Sequence, residues 1–302
     1  MTGNTIHQPA AVQKNAHPVM RVMVALIGDR LALCGLIMLA VFVLLALLAP
    51  LLSPQNPYDL MQLDIMDGRL APGAQSMAGM TYWLGTDDQG RDLFSAILYG
   101  TRISLMVGFS SAVFALLIGA SLGLISAYVG GKTDATIMRI VDIQLSFPPI
   151  LIALILLAVL GQGVDKIIMA LVVTQWAYYA RTIRGSALVE RRRSYVDAAR
   201  SMALSNRRIL FRHILPNCLA PLIVVATMRI AYAIMLEATL SFLGIGLPVT
   251  EPSLGLLIAN GFEYLMSGDY WISFFPGLTL LLLIVAINLV GDALRDILNP
   301  RN

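Results

Sequence analysis

Side chains able to do chemistry are sparse in this chain, and few of them are spaced to act together. The three histidines, His7, His17 and His213, lie far apart in polar stretches, and Cys34 and Cys218 lack any neighbour at metal-ligand spacing. No nucleophile–base pair or metal cluster can be assembled from them. Residues 126–133 (SAYVGGKT) approach the Gly-x4-Gly-Lys-Thr pattern, whose backbone cradles phosphate. Ser126, however, occupies the first glycine position, and the residues before it end an apolar helical run instead of a strand. The plainer reading of Lys132 is a charge behind a glycine-terminated helix. Six aspartates, Asp59, Asp64, Asp67, Asp87, Asp88 and Asp92, crowd one polar segment. They could hold a cation or an amino terminus, or simply solvate a loop packed over the protein. Arg229 and Glu237 stand inside an apolar run, where ionisable groups face a bundle interior or water. Eight residues along a helix set them about 80° apart and two turns apart in height, so they do not form a simple pair. Pathway lining and packing against a partner chain both fit them.

The elements that must position these groups are membrane spans. Of 302 residues, 58% are apolar and 13% charged, about half the charge usual for a soluble domain. Long uncharged runs alternate with short charged ones, and roughly 20 apolar residues cross the hydrocarbon as a helix. Six such helices are expected, near residues 31–52, 104–128, 140–160, 167–182, 218–240 and 272–291. Residues 1–30 form a polar tail, and residues 53–103 a cap outside the bilayer, with 94–98 lying along its surface. Pro148 and Pro149 kink the third span. Gly119 and Gly123 in the second let a neighbouring helix approach closely. This arrangement gathers sixteen of the 21 lysines and arginines on one side, leaving Arg69, Arg91, Arg102 and Lys166 opposite and Arg229 within a span. The positive side is the cytoplasmic one, so both termini are expected inside.

The basic stretch between the fourth and fifth spans is the most informative segment. Val196, Ala199, Ala203, Ile209, Leu210, Ile214 and Leu215 recur at helical spacing, and Ser205 offers a cap in the middle. A short helix, a turn and a second short helix outside the bilayer are expected. An amphipathic helix whose arginines meet anionic headgroups accounts equally well for the composition.

Residues 197–216 resemble the coupling loop of binding-protein-dependent ABC importer permeases. That loop reads Glu-Ala-Ala, three residues, Gly, nine residues, Ile, one residue, Leu-Pro. Asp197, Ala198 and Ala199 supply the acidic-Ala-Ala element, and Leu215 and Pro216 fall at the matching distance. Asp197, Ala203 and His213 depart from the pattern. Ala203 takes the place of the glycine at the bend, and serves there only while its φ stays negative. Residues 84–92 (LGTDDQGRD), 99–105 (YGTRISL), 138–142 (MRIVD), 240–246 (LSFLGIG) and 288–296 (NLVGDALRD, followed by Pro300) resemble the dipeptide, oligopeptide and nickel branch, in shared order along the chain.

The resemblance implies an all-α, type I importer permease occupying residues 31–302, with residues 183–217 as its cytoplasmic coupling loop. It implies a second homologous permease, two ATP-binding subunits that hold ATP and Mg, and an extracytoplasmic substrate-binding protein. This chain itself would bind no cofactor, metal or nucleic acid and carry no catalysis. Asp197, Ala198, Ala199, Met202, Ala203, Arg207, Arg208, Leu215 and Pro216 would form the coupling element, with Ala199 and Met202 giving apolar contact to the ATPase. The setting is a bacterial inner membrane, and the cargo dipeptides or short oligopeptides, with glutathione or a nickel complex also within the branch. An ion-driven secondary transporter or channel is the competing class. It would show inverted repeats and several intramembrane carboxylates, and Glu237 is the one candidate.

Overall fold

The computed structural model describes residues 18–59, 63–76 and 79–298; His7, Lys14, His17 and Pro300 lie outside them. Among the described residues the regular structure is helical, apart from two isolated bridges, Gln75–Thr81 and Thr86–Asp92. In chain order the helices are α1 (Pro18–Gly28), α2 (Arg30–Leu52), α3 (Leu93–Val129), α4 (Gly131–Ser146), α5 (Pro149–Leu160) and α6 (Val164–Glu190). Next come α7 (Ser194–Ser201), α8 (Asn206–Ile209), α9 (Leu219–Phe242), α10 (Leu254–Glu263) and α11 (Trp271–Leu298). The polar tail expected over residues 1–30 therefore contains a helix, α1.

Among the described residues, four helices are long and apolar enough to cross a bilayer: α2, α3, α11, and the continuous stretch Asn206–Phe242 that contains α9. The apolar window of α2 is only 17% covered by the rest of the chain, so lipid or a partner must cover the remainder. The expected kink in the third span is a full break. Phe147 and Pro148 are extended, and α4 meets α5 at 90°. Neither proline can donate the backbone bond that would carry α4 onward, while Pro149 suits the first turn of α5. The remaining candidate, α6, is 27 residues long but more polar, with Gln175, Arg181 and Arg184 along it. Ten of its residues are buried against neighbouring helices, which relieves it of the need for a fully apolar surface.

The core is the α3–α6 pair. A Cβ on Gly119 would stand 2.2 Å from the Trp176 carbonyl oxygen, and one on Gly123 equally close to that of Ala180. Only hydrogen fits at either point, so the two backbones touch. The second span starts earlier than the sequence pattern suggests. Asp92 caps α3, accepting from the Ser95 backbone N–H at 2.9 Å and from its hydroxyl at 2.5 Å. Residues 94–98, expected along the membrane surface, are instead the buried first turns of this 37-residue helix.

The cap ahead of α3 is held by the aspartates whose role the sequence left open. Asp87 and Arg91, both fully buried, pair at 2.6 Å, and Arg91 donates to the Val249 carbonyl oxygen at 3.1 Å. Asp67 accepts from the Tyr82 hydroxyl at 3.0 Å, and Asp64 caps a turn of 3-10 helix at Ile65–Asp67. Burial and the Asp67 carboxylate push the Tyr82 phenol well above its ordinary range, so it remains a donor. These contacts anchor the segment, while residues 64–66 and 71–73 stay exposed.

Candidate functional site

Residues 191–218 form a structured base at one end of the bundle. α7 ends in a left-handed turn: the Ala203 N–H reaches the Arg200 oxygen at 2.9 Å and the Leu204 N–H reaches the Ala199 oxygen at 3.2 Å. These are the paired bonds of a helix terminus whose outlying residue has positive φ. That residue is Ala203, at φ +54°. The negative φ expected there is not adopted, because the two reverse bonds require the left-handed conformation. An alanine held in it costs roughly 1–2 kcal/mol.

Ser205 precedes α8, as the sequence suggested, but its side chain makes no capping bond. The second helix is also not separate. From Asn206 the chain passes through a π turn at Leu210–Ile214 and a 3-10 turn at Leu215–Cys218 directly into α9, 37 helical residues in all. Pro216, in the 3-10 turn, lacks the N–H that regular α-helix would need there, and the loosened ladder absorbs the misfit.

Val196, Ala199, Ile209, Ile214 and Cys218 are buried together with Leu124, Ala127, Tyr179 and Ile183 of α3 and α6. Ala199 is only 5% exposed, so the apolar contact to an outside partner expected of it is made inside the chain instead. Its spacing from Val196 places it on the inward stripe of α7. Met202, at 73% exposure, stands outward, as do Asp197, Ala198, Ala203, Arg207, Arg208 and Pro216; Leu215 is half-buried.

Polar ties brace this base to the spans. Tyr128 at the end of α3 donates to Asn206, and Arg191 donates to the Ala127 carbonyl oxygen at 2.8 Å. The Tyr195 hydroxyl donates to Glu190 at 2.6 Å and accepts from Asn217 at 3.0 Å, joining α6, α7 and the 3-10 turn. Burial first, and then the Glu190 carboxylate, push the Tyr195 phenol up, so it keeps its proton. Arg184 holds Asp134 bidentately at 2.5 and 2.6 Å, and Ser126 donates to the same carboxylate. Ser126 thus belongs to the α3–α4 corner. The phosphate-loop resemblance at 126–133 has no strand before it and straddles the end of α3 and the start of α4, with Gly130 at φ +71° between them.

Higher in the bundle, Glu237 neither lines a pathway nor snorkels outward. It is 0% exposed and accepts hydroxyl bonds from Ser104 (3.0 Å), Ser241 (2.9 Å) and Ser253 (3.1 Å). Those serines belong to α3, α9 and the cap of α10, so the carboxylate ties three elements together. Ser104 and Ser253 come from other elements, which is why the pattern of α9 alone gave no sign of the full set. Arg229 differs. It is half-buried, with its guanidinium carbon 3.4 Å from the Tyr178 ring centroid and 5.4 Å from that of Tyr232. An arginine at the centre of a span costs about 2.5–3.5 kcal/mol on insertion scales. A desolvated cation–π contact returns about 2 kcal/mol, so two tyrosines offset most of that penalty. Arg181, three residues on from Tyr178 and on the same side of α6, pairs with the exposed Asp142 of α4. A groove of about 880 Å3 runs below, between α6, α9 and α11, lined among others by Thr182, Glu190, Asn217, Val225 and Arg295.

Residues 119–302 match the family described as the binding-protein-dependent transport system inner membrane component, and residues 19–72 match the N-terminal transmembrane domain of oligopeptide transport permease C. A putative peptide transport system permease protein of Brucella suis is 43% identical over 267 residues, 88% of this chain and 86% of that protein. A dipeptide transport system permease protein of Alkalihalophilus pseudofirmus is 38% identical, covering 90% of this chain and 86% of its own length. A probable D,D-dipeptide transport system permease protein of Escherichia coli is 37% identical, over 91% and 89%. Among solved structures, an inward-facing methionine ABC transporter superposes with a TM-score of 0.56 at 22% identity, over 68% of this chain and 96% of that one, a likeness of fold.

Proposed function

Because the chain belongs to the family of binding-protein-dependent transport system inner membrane components, we propose that residues 183–217 carry into its membrane bundle the work of ATP hydrolysed on separate subunits. The chain is a permease subunit of a bacterial ABC importer of peptides, a multi-pass protein of the inner membrane. It forms half of a translocation pathway with a second, related permease. Two ATPases hold ATP and Mg at the cytoplasmic face, and a binding protein delivers cargo from outside. Dipeptides and short oligopeptides are that cargo. Six spans, α2, α3, the bent α4–α5 pair, α6, α9 and α11, cross with both termini inside.

The observation that carries this reading is the mechanical continuity of the base. α7 is fixed through Val196 and Ala199 to α3 and α6, and α8 runs without interruption into α9. A push on the exposed Asp197, Ala198, Met202, Arg207 and Arg208 therefore moves α3, α6 and α9 as a body. Sub-ångström shifts at such a docking face are amplified because packed helices rearrange as units.

Reconstitution tests the reading. Proteoliposomes holding both permeases, both ATPases and the binding protein are expected to accumulate labelled dipeptide with ATP, while liposomes holding this chain alone pass none. ATP-independent flux through the lone chain would instead favour a self-sufficient transporter.

A further inference from the structure

A peptide keeps a carboxylate charged at neutral pH, and a charge led through hydrocarbon needs a partner on the way. Of the three arginines on α6 and α9, Arg181 pairs with Asp142 and Arg184 with Asp134. Arg229 pairs with no carboxylate among the described residues and makes no hydrogen bond there; its contacts are the rings of Tyr178 and Tyr232. Stacking engages the flat face of a guanidinium and leaves its five in-plane N–H donors unused, in the fork geometry that matches a carboxylate. The group is also reachable. It is half-buried, and it stands one turn beyond Val225 on α9, as Tyr178 stands one turn beyond Thr182 on α6. Val225 and Thr182 both line the 880 Å3 groove, which places Arg229 and Tyr178 one helical turn from its wall.

We propose that Arg229, seated over the Tyr178 ring with Tyr232 beside it, receives the terminal carboxylate of the peptide in transit. This rests on the reading of the chain as a peptide permease. The tyrosines hold the cation without neutralising it, which an acidic partner would do. A stacked, unpaired cation suits a transient passenger: it binds the carboxylate while the pathway is occupied and returns to its rings when the peptide leaves.

The test uses the full complex in proteoliposomes with a radiolabelled dipeptide. R229Q is expected to lower uptake at least ~10-fold, the scale of one lost charge-assisted hydrogen bond. ATP hydrolysis stimulated by the loaded binding protein should stay within about 2-fold of wild type, well under that effect. R229K, which keeps the charge but not the fork, should fall between. A photoreactive dipeptide trapped in the wild-type complex should label the segments holding Tyr178 or Tyr232. Wild-type uptake by R229Q, or labelling of this chain confined to other segments, overturns the proposal while leaving the permease reading intact. An R229Q complex that loses the second permease while R229K retains it also overturns it, assigning the arginine to a carboxylate of that subunit. If the wild-type complex moves no peptide, the permease reading falls, and this inference falls with it.

Discussion

Ala203 shows how much a single backbone angle can cost. The acidic-Ala-Ala element and the Leu-Pro pair bracket the position in the sequence, and a glycine would be the easy residue there. That the backbone takes φ +54° regardless became visible only with the reverse hydrogen bonds to Ala199 and Arg200. Ala203→Gly removes strain of roughly 1–2 kcal/mol and loses about 0.4–1 kcal/mol to the freer unfolded chain. The strain term is the larger. Thermal unfolding of the purified complex should therefore show A203G stabilised by up to about 1.6 kcal/mol. A destabilised variant would mean that the left-handed turn is not adopted. Glu237 and Arg229 make the complementary case. Sequence marked both as ionisable groups at membrane depth and offered the same two roles for each. Their surroundings separate them, since Glu237 is enclosed by hydroxyls from three elements and Arg229 lies open against aromatic faces. Neither surrounding could be read in full from α9, because Ser104, Ser253 and Tyr178 come from elsewhere in the chain.

Helices α2, α3, α9 and α11 were legible because runs of 20 or more apolar residues have few alternative fates. What composition concealed was where helices begin, break and merge. Asp92 starts α3 well before its apolar run, through a cap that a single carboxylate provides. Two adjacent prolines looked like a kink and are a 90° break. α8 looked like a detached second helix, yet π and 3-10 turns carry it past Pro216 into α9, since a proline is tolerated where the ladder is already loosened. The small-residue pattern at Gly119 and Gly123 was read correctly, because close approach is what a missing Cβ allows. Gly123→Val would drive side-chain atoms into the Ala180 carbonyl, which is backbone and cannot rotate aside. Overpacking of this kind typically costs 1–3 kcal/mol, and more when the backbone must move. G123V is expected to lose at least about 2 kcal/mol in chemical denaturation, while Gly277→Val, where the added Cβ meets nothing within 4 Å, should be close to neutral.

Across the molecule, two rigid ends flank the α3–α6 core. At one end the cap ahead of α3 is fastened by the buried Asp87–Arg91 pair. Asp87→Asn would leave the guanidinium buried without its counter-charge, a change that costs about 3–5 kcal/mol. D87N should unfold at markedly lower denaturant than wild type, and unchanged stability would contradict the enclosure of that pair. At the other end the base formed by residues 191–218 presents Met202 outward while Ala199 locks it to the spans. We propose that this base is the handle by which a nucleotide-hydrolysing partner moves the bundle. This can be tested with Met202→Cys in a C34S/C218A background, paired with a cysteine on the ATPase surface of the assembled importer. Oxidation should join the two subunits and stop peptide uptake, and reduction should restore it. Labelling of the introduced M202C thiol from outside intact cells by an impermeant reagent, with no bond to the ATPase, would contradict the account.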